Sequence, residues 1–400
     1  LIAVGIILWA WRRQGWSRAG LFGLGFFVAA LLPVLGFFDV YYFRYSFVAD
    51  HFQYLASAGL IAVVASGGAM VCDRAGPRGR QIGVVAVPVA LLSLGALTWR
   101  QAHIYRDVET LWRDTLTKNP QCWMAHTNLS TLLNDKGELN ESIWHCEQAL
   151  RFKPDYAGAH NSFGVALLLL GRPQEAISHW DQALRLKPDF FQAQRNWGNA
   201  LLQAGRVQEA IGHYEQALRI NPHYADAHYN LGLALARTGQ VPEAIEHYEQ
   251  ALRIKPDYAE AHNNLANVLL QAGKVQEAIG HYGQALRLQP DFADAYNNLA
   301  WLLATHTPAE RGDAVRAVGL AQRACELTSD RRAGYLDTLA VAYAAAGRFS
   351  DAIATAQKAV ELARSGGQSK LVGEYEARLE LYRSGRTYRQ PADTAAPNNR

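Results

Sequence analysis

Cysteine, recognisable catalytic motifs and, over the first hundred residues, lysine and glutamate are all scarce or missing in this 400-residue chain. Each shortage closes a class of function. Cys72, Cys122, Cys146 and Cys325 are too few and too scattered for a disulfide scaffold, and no CxxC pair offers a zinc or dithiol redox site. A Cys122–Cys146 bridge would need an oxidising compartment, and the simpler reading of Cys146, at a core position of a helix, is a small hydrophobe. There is no GxSxG and no P-loop, and Gly23-Leu24-Gly25 does not complete a dinucleotide fingerprint. Neither a metal nor a cofactor is expected. Residues 1–104 hold eight Arg, three Asp and no Lys or Glu, for a net +5, while the remainder is close to neutral at −2. The basic excess sits in short loops between apolar runs and not on a face that would neutralise a phosphate backbone, so nucleic acid is not an expected partner.

What the first hundred residues do contain is apolar sequence. Runs at about 1–11, 19–38, 55–72 and 82–99 define an expected membrane domain over 1–104. The last three approach the roughly 17 to 25 residues that cross a hydrocarbon core. The first, LIAVGIILWAW, is about half that length and precedes its arginines, the reverse of a signal peptide, so it reads as a truncated span. Arg12, Arg13 and Arg18 flank one loop and Arg74, Arg78 and Arg80 another, whereas DVYYFRYSFVADHFQY between them carries only Arg44. By the positive-inside rule the aromatic loop faces outward, and so does everything after the fourth span. The expectation is an integral membrane protein with its C-terminal part on the periplasmic or lumenal side.

From residue 105 onward a 34-residue period takes over. Pro120, Pro154, Pro188, Pro222, Pro256 and Pro290 mark it, and units start at Trp123, Ala157, Phe191, Ala225, Ala259 and Ala293, with a seventh near Ala333. Position 8 is small (Ser130, Gly164, Gly198, Gly232, Ala266, Ala300), and so is position 20 (Ser142, Ala176, Ala210, Ala244, Ala278), letting the two helices of a unit approach closely. Position 24 (Cys146, Trp180, Tyr214, Tyr248, Tyr282) and the alanines at position 27 are expected to pack toward the next unit. Gly137, Gly171, Gly205, Gly239 and Gly273 fall where the first helix must end left-handed, and the prolines stop the second. Nine His form two ladders: His126, His160, His228 and His262 at position 4, and His145, His179, His213, His247 and His281 at position 23. Equivalent residues of stacked units lie roughly 10 Å apart, too far to converge on one metal, so packing or surface roles are expected.

These eight recurring positions resemble the tetratricopeptide repeat, and AHNNLANVLLQAGKVQEAIGHYGQALRLQP is similar to the superhelical repeats of O-linked N-acetylglucosamine transferases. The implied fold class is all-α: a polytopic helical membrane segment followed by a tetratricopeptide-repeat α-solenoid. Expected boundaries are 1–104 for the membrane domain, 105–122 for a connecting half-repeat, 123–365 for about seven repeats, 366–389 for a capping helix and 390–400 for a disordered tail. The stretch ADHFQYLASAGL resembles a lumenal loop of the transmembrane O-mannosyltransferases that carry C-terminal tetratricopeptide repeats. That resemblance implies a polyprenyl-phosphate sugar donor held near Arg44, Asp50, His51 and Tyr54, with the catalytic acid in an earlier loop, upstream of Leu1. The alternative reading of the loop is an interfacial aromatic belt. Position 6 of successive units, Asn128, Ser162, Asn196, Asn230, Asn264 and Asn298, forms an expected peptide-binding ladder. Polypeptide segments and the membrane are thus the expected partners; the competing function is a non-enzymatic membrane-tethered scaffold.

Overall fold

The computed structural model describes residues 106–306 and 311–389, together with isolated positions 76, 77, 81 and 89. The four apolar stretches, the loop residues Arg44, Asp50, His51 and Tyr54, and the tail 390–400 lie outside the described residues. No helix among the described residues is long and apolar enough to cross a membrane. The chain divides into two units, 1–111 and 112–400, and the described residues of the second form an α-helical solenoid.

After α1 (Val108–Lys118) the helices alternate as pairs. The first members are α2 (Trp123–Lys136), α4 (Ala157–Leu169), α6 (Phe191–Gln203), α8 (Ala225–Arg237), α10 (Ala259–Gln271), α12 (Ala293–Thr305) and α14 (Ala333–Ala345). The second members are α3 (Leu139–Phe152), α5 (Pro173–Leu186), α7 (Val207–Ile220), α9 (Val241–Ile254), α11 (Val275–Leu288), α13 (Arg311–Leu327) and α15 (Phe349–Ser365), and α16 (Ser369–Arg383) follows as a lone helix. The turn glycines 137, 171, 205, 239 and 273 take φ between 75° and 78°, a region in which an L side chain is strained. The second helices begin with a carboxylate in their first turn, where the helix dipole favours it. Glu175, Glu209 and Glu277 are anchored there by Arg172, Arg206 and Lys274 at 2.6–3.4 Å.

The large residue at position 24 shares a core cluster with the next unit, as Trp180 does with Ala193 and Ala200, and packs inside its own unit as well. Trp180, Tyr214 and Tyr248 lie on the position-8 glycine of their own unit: a Cβ on Gly164 would stand 2.6 Å from the Trp180 ring, and one on Gly198 2.6 Å from the Tyr214 ring. The knob therefore fastens the two helices of one unit, and the missing side chain at position 8 is the hole that receives it. Tyr214 donates its phenol to Asn199 Oδ1 at 2.8 Å, and Tyr282 does the same to Asn267. Trp180 meets Val165 at the equivalent place in sequence, a side chain with no acceptor, and its buried Nε1 has no partner.

The first helices of neighbouring units touch one another, α2 with α4, α4 with α6, α6 with α8, α8 with α10 and α12 with α14, whereas among the described residues no two neighbouring second helices make a comparable contact. A stack that is tighter along one row must curve toward it. The first helices therefore form the inner face of the solenoid. At its C-terminal end α16 covers the last pair, and Arg378 reaches from it to Asp337 on α14 with two bonds of 2.9 Å.

Candidate functional site

The inner face carries the asparagine ladder, and the structure shows how each rung is held. Asn196 Nδ2 donates to Asn161 Oδ1 and Asn230 Nδ2 to Asn199 Oδ1, both at 2.9 Å. Asn264 Nδ2 donates to the Tyr229 hydroxyl at 3.0 Å, and Asn298 Nδ2 to Asn263 Oδ1 at 3.2 Å. Every acceptor belongs to the first helix of the preceding unit. Ser162 replaces the amide in the second unit and pairs through Oγ with the Thr131 hydroxyl at 2.8 Å. Asn128, the first rung, is exposed and has no first helix ahead of it among the described residues.

These bonds join the ladder to the core. Asn199 Oδ1 accepts from the buried Tyr214 of its own unit and from Asn230 of the next, so one carboxamide links helix pairing within a unit to stacking between units. A carboxamide carries two N–H donors and an acceptor oxygen; at Asn196, Asn230 and Asn264 the inter-unit bond uses one donor while fixing the plane of the amide, whereas Asn298 Nδ2 donates to Asn267 Oδ1 as well, at 3.4 Å. Next to the rungs, Asp226, Glu260 and Asp294 sit at position 2 of α8, α10 and α12. A carboxylate in the first turn suits the helix dipole. Asp294 also accepts from Arg332 at 3.1 Å and from the Tyr335 hydroxyl.

Sequence reasoning kept the two histidine ladders apart, and the structure joins them. His126 and His145 meet Nδ1 to Nδ1 at 2.8 Å, His160 and His179 at 3.0 Å, His228 and His247 at 3.0 Å, and His262 and His281 at 2.9 Å. In each pair the position-4 ring donates Nε2–H to the carbonyl of the preceding proline, at 3.0–3.2 Å. Its Nδ1 is then a lone pair that accepts from the position-23 Nδ1–H. The third unit supports this assignment: Gln194 stands at position 4, and its Oε1 accepts from His213 Nδ1 at 2.7 Å. The readable signal was the constant separation of 19 residues between the ladders, with Gln as the one exception. Cys122, Cys146 and Cys325 are free, so the bridge considered above is not formed.

Burial holds the His145 and His179 imidazoles down to about 4, with the neighbouring His126 and His160 adding to the effect. It lowers His126, His160, His228, His247, His262 and His281 as well. Unfolded histidine takes its proton near 6.5, so the folded array binds fewer protons than the unfolded chain between that value and the folded pKa. Its stability is complete above pH 6.5 and falls as pH drops toward 4. His145 and His179, held lowest, contribute most to that fall. Melting followed by circular dichroism should show it. Replacing His126, His160, His228 and His262 by Gln copies the third unit, removes the second charge from each pair, and is expected to shrink the fall in Tm between pH 7 and pH 4.

The comparisons with known proteins concern the same repeats. Residues 161–225 and 195–259 match one tetratricopeptide-repeat model, and residues 235–302 match a second. The chain is 30% identical over 146 residues to the human protein O-mannosyl-transferase TMTC1, a match covering 36% of this chain and 16% of that protein. It is 29% identical over 131 residues to Tmtc2 of Drosophila melanogaster, covering 32% of this chain and 13% of that one. Among solved structures, the APC/C hetero-tetramer Cut9-Hcn1 superposes with a TM-score of 0.55 at 19% identity, over 67% of this chain and 52% of that chain, which speaks to the fold alone. The matched part is thus a small fraction of the mannosyl-transferases' own length. Residues 161–302 are tetratricopeptide repeats, and 146 residues of the repeat region are similar to the protein O-mannosyl-transferases.

Proposed function

We propose that the array binds polypeptide in extended form along its inner face and that the apolar stretches of residues 1–104 anchor it in a membrane, with the repeats on the extracytoplasmic side. In this reading the chain is the C-terminal part of a protein O-mannosyltransferase that takes its sugar from a polyprenyl phosphate, and the repeats deliver the acceptor polypeptide. Arg44, Asp50, His51 and Tyr54 are the residues assigned to the donor, Arg44 and His51 to its phosphate. The similarity to the mannosyl-transferases lies in the repeats, so a membrane-tethered scaffold with the same peptide-binding face stands as the second reading.

The observation that carries the proposal is the row of oriented carboxamides at Asn196, Asn230, Asn264 and Asn298, one in each of four consecutive units. Units repeat at roughly 10 Å, close to three residues of an extended strand at about 3.3 Å each. Rungs in that register exchange hydrogen bonds with every third peptide group, and such contacts read the main chain and not the side chains. Affinity should therefore grow with peptide length. Fluorescence anisotropy with unstructured, uncharged peptides of 6, 9, 12 and 15 residues is expected to show tightening at each step, because each added rung acts at high effective concentration. Equal affinity for the shortest and longest peptides, or none for any, overturns the reading.

A further inference from the structure

The C-terminal end of the inner face holds a site that the ladder does not use. Trp301 lies one turn beyond Asn298 on α12 and so shares its face. From α16, the Arg378 guanidinium lies 5.6 Å from the Trp301 ring centroid and 5.3 Å from that of Tyr375, with Asp337 holding its other edge. A cavity of about 760 Å³ opens beside this wall, lined also by Asp294, Arg332 and Tyr335. After α16 the chain turns at Gly385, where φ is +67°, and runs back without regular structure. Its Tyr388 ring comes to rest 5.7 Å from Trp301 and 5.1 Å from Arg378. An aromatic side chain from an irregular segment of this chain thus occupies a notch made of an indole and a guanidinium.

We infer that this notch is a binding subsite for an aromatic side chain of an extended polypeptide, and that Tyr388 fills it in cis as a tethered competitor. The chemistry fits such a ligand. A delocalised cation over a ring face and an indole beside it both favour an aromatic group, and neither demands a particular neighbouring sequence. The contacts of Tyr388 are made by its ring, which makes the hydroxyl dispensable. The tether matters because a segment a few residues from its site sits at high effective concentration, and an incoming peptide must displace it. Apparent affinity is reduced by the fraction of molecules in which the notch is closed. The tail therefore sets a threshold for peptides that end their run along the ladder with an aromatic residue.

The inference rests on the peptide-binding reading, and the test separates the two. Two labelled peptides are used, both twelve-residue Ser/Thr/Ala chains, one with a single Tyr and one with Ala in its place. Tyr388→Ala is expected to bind the Tyr peptide about tenfold tighter than the parent, Tyr388→Phe to behave as the parent, and the Ala peptide to show no gain. A synthetic SGRTYRQPADT, residues 384–394, should compete with the Tyr peptide on Tyr388→Ala. Equal affinity of parent and Tyr388→Ala for the Tyr peptide, or an equal gain for the Ala peptide, overturns the subsite. So does a Tyr388→Ala chain that takes up only its own tail sequence, which would make the segment a structural strap. Melting curves of Tyr388→Ala verify that α16 remains docked; should it detach, the same competition is run on the parent with excess tail peptide, where failure to compete overturns the inference. If replacing the ladder asparagines removes binding of long neutral peptides while the tail peptide still binds Tyr388→Ala, the ladder and the notch are separate sites.

Discussion

Arg378→Ala should cost the C-terminal end of the array about 3 to 5 kcal/mol at pH 7, the loss usual when one partner of a buried ion pair is removed. Side-chain exposure is 10% for Arg378 and 4% for Asp337, so neither charge has water to fall back on. Burial pushes the Asp337 carboxyl up to about 6 even with the guanidinium beside it pulling the other way. The pair is therefore charged at neutral pH at a cost, and Asp337 has nothing to replace Arg378 once it is gone. In a linear array each element is held only by its neighbours, so the damage should appear as early melting and proteolysis of α16 and α15 while α4 to α11 keep their protection in hydrogen exchange. Two further results identify the mechanism. The deficit should shrink as pH falls toward about 6, because without the guanidinium Asp337 takes up its proton at a higher pH than in the parent and then no longer leaves a bare buried charge. Replacing both residues, Asp337→Leu with Arg378→Met, should recover most of the loss, since paired apolar groups of similar size often match or exceed a buried ion pair. A double variant as unstable as Arg378→Ala would show that the guanidinium matters through its ring contacts with Trp301, Tyr375 and Tyr388 instead.

The solenoid was legible in the sequence because its determinants are local and repeated. A proline every 34 residues, a glycine at each turn and small residues at positions 8 and 20 all recur in register, and repetition averages out the ambiguity of any one unit. What escaped were contacts between positions that the repeat treats as separate. The direction of the position-24 ring depends on a hole at position 8 of its own unit, and spacing alone does not reveal which neighbour a large side chain faces. The His126–His145 type of pair needed positions 4 and 23 to be considered together, and the Gln194 substitution was the clue. Asp337 with Arg378 and Trp301 with Tyr388 lie where the repeat breaks off, so no period marks them. The ladder positions were readable as a row, whereas the bonds from each rung to the unit before it depended on the stacking that only coordinates show. The donor-loop assignment to Arg44, Asp50, His51 and Tyr54 falls outside the described residues and rests on its resemblance.

Replacing Asn196, Asn230, Asn264 and Asn298 together by Ala should remove most affinity for long neutral peptides, at least tenfold, and the structure refines what else must happen. If the amides were solvated surface groups, stability would be untouched. Instead each donates to the preceding unit, Asn298 twice, so the variant also breaks five inter-unit hydrogen bonds. A neutral hydrogen bond contributes about 1 kcal/mol net, and more where a buried acceptor is left empty. The acceptors are not equally exposed to that penalty. Asn199 keeps the bond from Tyr214, whereas Asn263 lies 6% exposed and loses its inter-unit donor. A Tm lowered by a few degrees is therefore expected along with lost binding, and binding must be compared at a temperature where both proteins are folded. Ser at the same four positions is the control, since the second unit already works with Ser162: its hydroxyl can pair across the stack as Ser162 does with Thr131. It lacks the second N–H that a carboxamide offers to a bound peptide. A serine ladder that stacks with near-parental stability yet binds peptide as weakly as the alanine variant would place the function in the amide itself. A serine ladder that binds as well as the parent would mean that the rungs serve only to stack the repeats, and the peptide must be held elsewhere on the inner face.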